Sequence, residues 1–138
     1  MIKFSRSEDY AVVLVTVLSK AYGIKLVPLS EIAKEYHLSL LFLRNIANQL
    51  KHAGVISAVE GKLGGYVLSK DPNQMSMGEI LNLFTNEASF GCCDLQKIHG
   101  VCQKAKTCIP AMNFRKINQD FISKISKLSV SEFQQYAK

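Results

Sequence analysis

No stretch of this 138-residue chain is apolar for long enough to cross a bilayer. The longest strongly apolar run, Ala11 to Leu18, falls far short of the roughly 20 residues a spanning helix needs. Met1 to Asp9 holds Lys3, Arg6, Glu8 and Asp9, without the basic head, apolar stretch and small-residue cleavage site of a secretory signal. These absences lead us to expect a soluble, cytoplasmic protein with no membrane partner. Internal repeats and low-complexity tracts are missing too. So are a phosphate-binding glycine loop, a nucleophile elbow and a metal-hydrolase motif, and the three histidines, His37, His52 and His99, are scattered. Nothing suits catalysis, and we expect no enzyme.

What is present is a basic chain with one core. Lys and Arg number 17 against 11 Asp and Glu, for a net charge of +6, and 48% of the residues are hydrophobic. That is enough apolar material for one domain with an appended helix, and the charge suits a polyanionic partner without proving one.

Capping signals divide the chain. Ser5 and Glu8 form a capping box and Gly23 a stop, which predicts a helix over 7–22. Its valine-rich middle also resembles a buried strand, but the length and the caps favour a helix. Ile24 to Val27, closed by Pro28, reads as an extended piece that edges a small sheet. Ser30 predicts a short helix over 31–36, and Ser39 a longer one running to Ala53 and ending at Gly54. In the longer helix Leu43, Ile46, Ala47, Leu50 and Ala53 share one face, which turns Leu41, Arg44, Asn45, Asn48 and His52 outward. Val55 to Val59 and Tyr66 to Ser69 flank a glycine-rich connection, as in a β-hairpin. Asp71, Pro72 and Asn73 predict a turn, and Ser76 with Glu79 caps a helix bearing Met77, Ile80, Leu81 and Phe84. Pro110 suits the first turn of a last long helix, whose stripe of Phe114, Ile117, Phe121, Ile125 and Leu128, widened by Ile122, requires a partner surface. Ser129 and Glu132 predict one more short turn. We therefore expect a mostly α fold with a small β-hairpin wing, a winged helix-turn-helix plus a long C-terminal dimerisation helix. The expected divisions are a DNA-binding domain over 1–85, a cysteine-rich loop over 86–108 and a dimerisation helix with tail over 109–138.

Two residue sets carry chemistry. A major groove admits a helix whose Arg reads guanine and whose Asn or Gln reads adenine, which points to Arg44 and Asn45, with Ser39, Asn48 and Gln49 placed for phosphates. Lys62 gives the hairpin a cation, while Glu60 argues mildly against a strong wing contact. The second set is Cys92, Cys93, Cys102 and Cys108, all four cysteines in one short stretch. Clustered thiolates suit an iron-sulfur cluster, zinc or redox work. Adjacent Cys92 and Cys93 seldom serve one metal equally, which leaves one or the other to join Cys102 and Cys108, with His99 as a reserve ligand. The irregular spacing argues against paired zinc motifs.

The run from Leu38 to Leu68, with Leu38, Ser39, Leu43, Leu50, Ala53, Gly54, Val55 and Val59 followed by Gly61, Gly64, Gly65 and Tyr66, resembles the winged-helix iron-sulfur regulator family, which includes the cluster assembly regulator and the nitric-oxide-sensing repressor. The similarity extends to the Ser5, Asp9, Tyr10, Ala11 opening, the Ser76 to Phe84 helix, the cysteine loop and the Ser129 to Phe133 ending. It implies a homodimer on a palindromic double-stranded DNA operator, with Leu41, Arg44 and Asn45 reading bases and Gly64, Gly65 and Tyr66 touching backbone or minor groove. It implies a cluster, 4Fe–4S rather than 2Fe–2S, that gates repression in response to nitric oxide, redox or iron status. Cys102 and Cys108 match the family's last pair, the interval before Cys102 is closer to that of the nitric-oxide sensors and implies Cys93 with Cys92 in reserve, and Asp9 of the partner subunit is the implied fourth ligand. The His found three residues after the last Cys in the cluster assembly regulator is replaced by Ala111. Many members have Glu, Gln where this chain has Arg44, Asn45, and a basic wing residue where it has Glu60, which implies a different operator sequence. The alternative is a zinc-binding or thiol-disulfide-switched winged-helix regulator without a cluster.

Overall fold

The computed structural model describes residues 5–84 and 107–136. Six helices and one hairpin follow in order: α1 (Arg6–Lys20), α2 (Leu29–Glu35), α3 (Leu40–His52), β1 (Ile56–Val59), β2 (Gly65–Leu68), α4 (Met77–Asn82), α5 (Ile109–Lys127) and α6 (Val130–Gln135).

The valine-rich segment is helical. Ala11, Leu14, Val15 and Leu18 recur at helical spacing and are almost fully buried, while Val12, Val13 and Val17 pack against the same core from the flanks. A helix apolar on most sides belongs at the centre of its domain. α1 accordingly touches α3, β2, α4 and α6. Its start is the expected box, with Ser5 accepting from Glu8 and Glu8 accepting from the Ser5 amide, and Gly23 takes the left-handed conformation beyond its end.

α2 begins two residues earlier than its serine suggested. Pro28 is the N-cap and Ser30 lies exposed inside the first turn, because the fixed φ of proline pre-sets a helix start without any side-chain cap. Leu29, Ile32 and Ala33 face the core. After α2, His37 adopts φ 53° and the Leu38 amide reaches back to the Ala33 carbonyl at 2.9 Å. This closes the helix by the left-handed motif that glycine usually provides. The next residue, Ser39, already caps α3, so the two helices are joined by a tight turn.

Leu43, Ile46, Ala47 and Leu50 of α3 are buried, as expected, whereas Ala53 is exposed. The helix ends at Ala53, and Gly54 at φ 74° turns the chain away before that side can meet the core. β1 and β2 pair antiparallel from Ile56 with Leu68 to Val59 with Gly65. Val27 adds an isolated bridge to Tyr66, with amide and carbonyl paired at 3.1 and 2.9 Å. The extended piece before Pro28 thus does edge the sheet. Gly65 permits this: a Cβ there would lie 2.9 Å from Val27 backbone atoms.

The C-terminal part of the described chain returns to the start of α4. Ser76 and Ser129 form an antiparallel bridge, in which the Met77 amide donates to the Leu128 carbonyl at 2.8 Å and the Val130 amide to Met75 at 2.9 Å. Fully buried Val130 and half-buried Ile125, Leu128 and Phe133 join the core. The stripe on α5 therefore divides. Its C-terminal residues pack within the chain, while Phe114, Ile117 and Ile122, together with Ile109 and Met112, stay exposed.

Candidate nucleic-acid interface

α3 presents its two faces as the periodicity predicts. Leu41, Arg44, Asn45 and Asn48, at helical spacing, are all exposed, as are Gln49 and His52. No acidic residue occurs anywhere in α3, and Lys51 and His52 lie in its last turn. Arg44 makes no ion pair with any described residue, since the one such pair, Lys25 with Glu31 at 3.0 Å, lies at the start of α2. The Arg44 guanidinium and the Asn45 and Asn48 carboxamides therefore stand in solvent, groups of the chemical kind that pairs with guanine and adenine edges. Leu41 is 72% exposed, an apolar group that suits a thymine methyl.

Ser39 is engaged through its amide and its hydroxyl as well as its carbonyl, which accepts the Leu43 amide at 2.9 Å. Its hydroxyl accepts the Phe42 amide at 3.4 Å and its own amide donates to the Tyr10 hydroxyl at 3.0 Å. The hydroxyl proton remains available for a phosphate.

The wing connection is Glu60 to Gly64, where Lys62 is exposed. Gly61 takes φ 122°, and a Cβ on Gly64 would come within 2.2 Å of the Val59 carbonyl oxygen, so the turn excludes larger residues at Gly64. Gly65 and Tyr66 lie in β2 rather than in the turn. With the Tyr66 amide and carbonyl both bonded to Val27, Tyr66 retains only its side chain for a ligand. Sequence reasoning passed over Leu63, which is 93% exposed at the tip. The signal for it was an apolar residue inside a glycine-rich turn with no partner strand to cover it.

The thiolate candidates divide differently. Cys92, Cys93, Cys102 and His99 lie outside the described residues. Cys108 is half-buried, makes no disulfide and is the N-cap of α5, at the positive end of that helix dipole. Asp9 is exposed in the first turn of α1. Among the described residues it is the one charged group lining an apolar cavity of about 370 Å³, walled by Val12, Val13, Ile125 and Phe133 among others. Among the described residues no three potential ligands gather around a point. Cys108 and Asp9 have the donor types of a cluster site, a cysteine sulfur and a carboxyl group, and the remaining cysteines of the chain fall within 85–106.

Three kinds of likeness accompany this geometry. The sequence model of the Rrf2 family, described as an iron-dependent transcriptional regulator, matches residues 4–135. The HTH-type transcriptional regulator IscR of Klebsiella pneumoniae (strain 342) is 26% identical over 106 residues, 77% of this chain and 63% of that protein. The chain thus spans less than two thirds of that relative's length. Among solved structures, CymR (YrzC), the global cysteine regulator of B. subtilis, superposes with a TM-score of 0.80 at 22% identity over the full length of both chains. T. potens IscR superposes with a TM-score of 0.76 at 20% identity, over 99% of this chain and 89% of the other. At such identities the structural likenesses establish a shared winged-helix fold.

Proposed function

The chain belongs to the Rrf2 family of iron-dependent transcriptional regulators, and from that premise we propose that it binds double-stranded DNA as a homodimer and acts as a repressor in the cytoplasm, without catalysis. Each subunit lays α3 in the major groove of one half of a palindrome, with half-sites about one or two helical turns apart. The observation that carries this reading is the acid-free α3, whose exposed face holds Leu41, Arg44, Asn45 and Asn48 directly before a glycine-rich wing with Lys62. Arg44 and Asn45 read base edges and Leu41 a methyl. Ser39, Asn48, Lys62 and the Gly64, Gly65, Tyr66 segment hold the backbone or minor groove. The exposed apolar stripe of α5 is the contact between subunits.

The gating group is an iron-sulfur cluster, 4Fe–4S in preference to 2Fe–2S, on Cys93, Cys102 and Cys108, with Asp9 of the partner subunit as fourth ligand and Cys92 and His99 in reserve. When bound, it supplies iron and sulfide that react with nitric oxide or oxidants, since a carboxylate holds iron less firmly than a thiolate. Cys108 at the head of α5 and Asp9 in α1 tie such a site to the elements that carry dimerisation and the core.

One observation favours a second reading, a zinc-binding or thiol-switched regulator without a cluster: the fold superposes over its full length on CymR, the global cysteine regulator of B. subtilis. Protein purified without oxygen separates the two. Brown material with iron and sulfide supports the cluster, and colourless material with zinc or no metal supports the alternative. For the DNA reading, Arg44→Ala should cost about 1–3 kcal/mol of operator affinity and relax discrimination at one base pair. Lys62→Ala should weaken all duplexes alike and lower the salt slope by about one. Binding indifferent to Arg44 removes α3 from the groove.

A further inference from the structure

Four of the described helices begin at a serine N-cap: α1 at Ser5, α3 at Ser39, α4 at Ser76 and α6 at Ser129. A capping box satisfies two amides at such a start, the N3 amide through the serine oxygen and the serine amide through an N3 carboxylate. In three of the four the N3 residue is glutamate. Glu8, Glu79 and Glu132 accept the amides of Ser5, Ser76 and Ser129, the last two at 3.4 and 2.9 Å. In α3 the N3 residue is Phe42. The amide that a carboxylate would have taken donates instead to the hydroxyl of Tyr10 at 3.0 Å, from a helix 29 positions away. The two aromatic rings meet edge to face, with centroids 4.8 Å apart and planes at 89°.

The substitution has an electrostatic meaning. Glutamate at position 42 would stand two residues before Arg44, in the first turn of the helix that faces DNA, and repel phosphates on approach. A hydroxyl makes the same hydrogen bond and brings no charge. It also comes from α1, whose own box, buried stripe and central packing give it a fixed direction, so that the start of α3 is held in register with the core.

Resting on the DNA-binding reading above, we propose that Tyr10 is a positioning residue for DNA recognition. It completes the cap of α3 in place of a carboxylate, and so sets the aim of that helix while keeping its first turn free of negative charge. Tyr10→Phe in the full chain keeps the ring and removes only the acceptor.

The wild type is first used to select an operator from random duplexes. Tyr10→Phe should then bind that operator about three- to tenfold more weakly. A scrambled duplex, held mainly through phosphates, should change less than about twofold. The Ser39 amide should exchange faster with solvent. Operator affinity within twofold of wild type overturns the proposal, as does a parallel loss on both duplexes that follows a fall in melting temperature, the mark of a merely structural residue. Phe42→Glu set against Phe42→Gln tests the charge, since both lose the ring and both offer an oxygen to Ser39. The glutamate variant should bind several-fold more weakly at low salt and converge with the glutamine variant at high salt. Equal affinities at low salt overturn this half. A wild type that selects no sequence sinks the DNA reading and the proposal with it, whereas a selected operator that Tyr10→Phe still grips sinks the proposal alone.

Discussion

Gly65 shows how closely one backbone atom set constrains this fold. Its missing side chain is the space occupied by Val27, whose backbone would stand 2.9 Å from any Cβ. Gly65→Ala must therefore push the bridge between Val27 and Tyr66 apart, at a cost of about 1–3 kcal/mol, measurable as a lower urea midpoint. Leu63 is the contrasting residue. With 93% of its surface in solvent, Leu63→Ser should leave stability within about 0.5 kcal/mol, so any change in duplex affinity would report contact alone. The glycines were legible from the sequence, because a Gly-rich turn between two short β-type runs has few other uses. The reason Gly65 is needed was not, since Val27 approaches from 38 positions away in the chain.

Helix starts were the most legible elements. The boxes at Ser5, Ser76 and Ser129 all form, because a box uses only residues three apart and needs no tertiary partner. Ser30 misled for the same local reason: Pro28, two residues earlier, already begins the helix. Ala53 continued the apolar periodicity but met no core, because periodicity does not register where Gly54 turns the chain. The α6 box has a titratable consequence. The Ser129 amide, and secondarily its hydroxyl, donate to the Glu132 carboxylate and hold it below the usual carboxylate range. A lowered native value means that the stabilisation is present above the ordinary glutamate range and fades as pH falls through the native one. α6 should accordingly lose amide protection in acid before α1 does. Glu132→Gln should remove that pH dependence, and a profile unchanged in the variant would dissociate the box from α6 docking. Ser129→Ala should cost about 0.5–2 kcal/mol at neutral pH.

At the scale of the molecule, α5 leaves Phe114, Ile117 and Ile122 in solvent, an unusual stripe for an isolated chain. Ile117→Asp should convert a dimer to a monomer by light scattering and weaken operator binding sharply, because two half-sites then bind separately. A variant that remains dimeric would move the interface off α5. The exposed face of α3 was legible because it is one helix with one period. Tyr10 was not, since its role depends on a contact between helices that no spacing rule encodes. The bridge between Ser76 and Ser129 bears on how such proteins diversify. The chain leaves and returns side by side at the starts of α4 and α6, so a longer or shorter stretch over 85–106 would keep that bridge in place, at an entropic toll that grows only logarithmically with length.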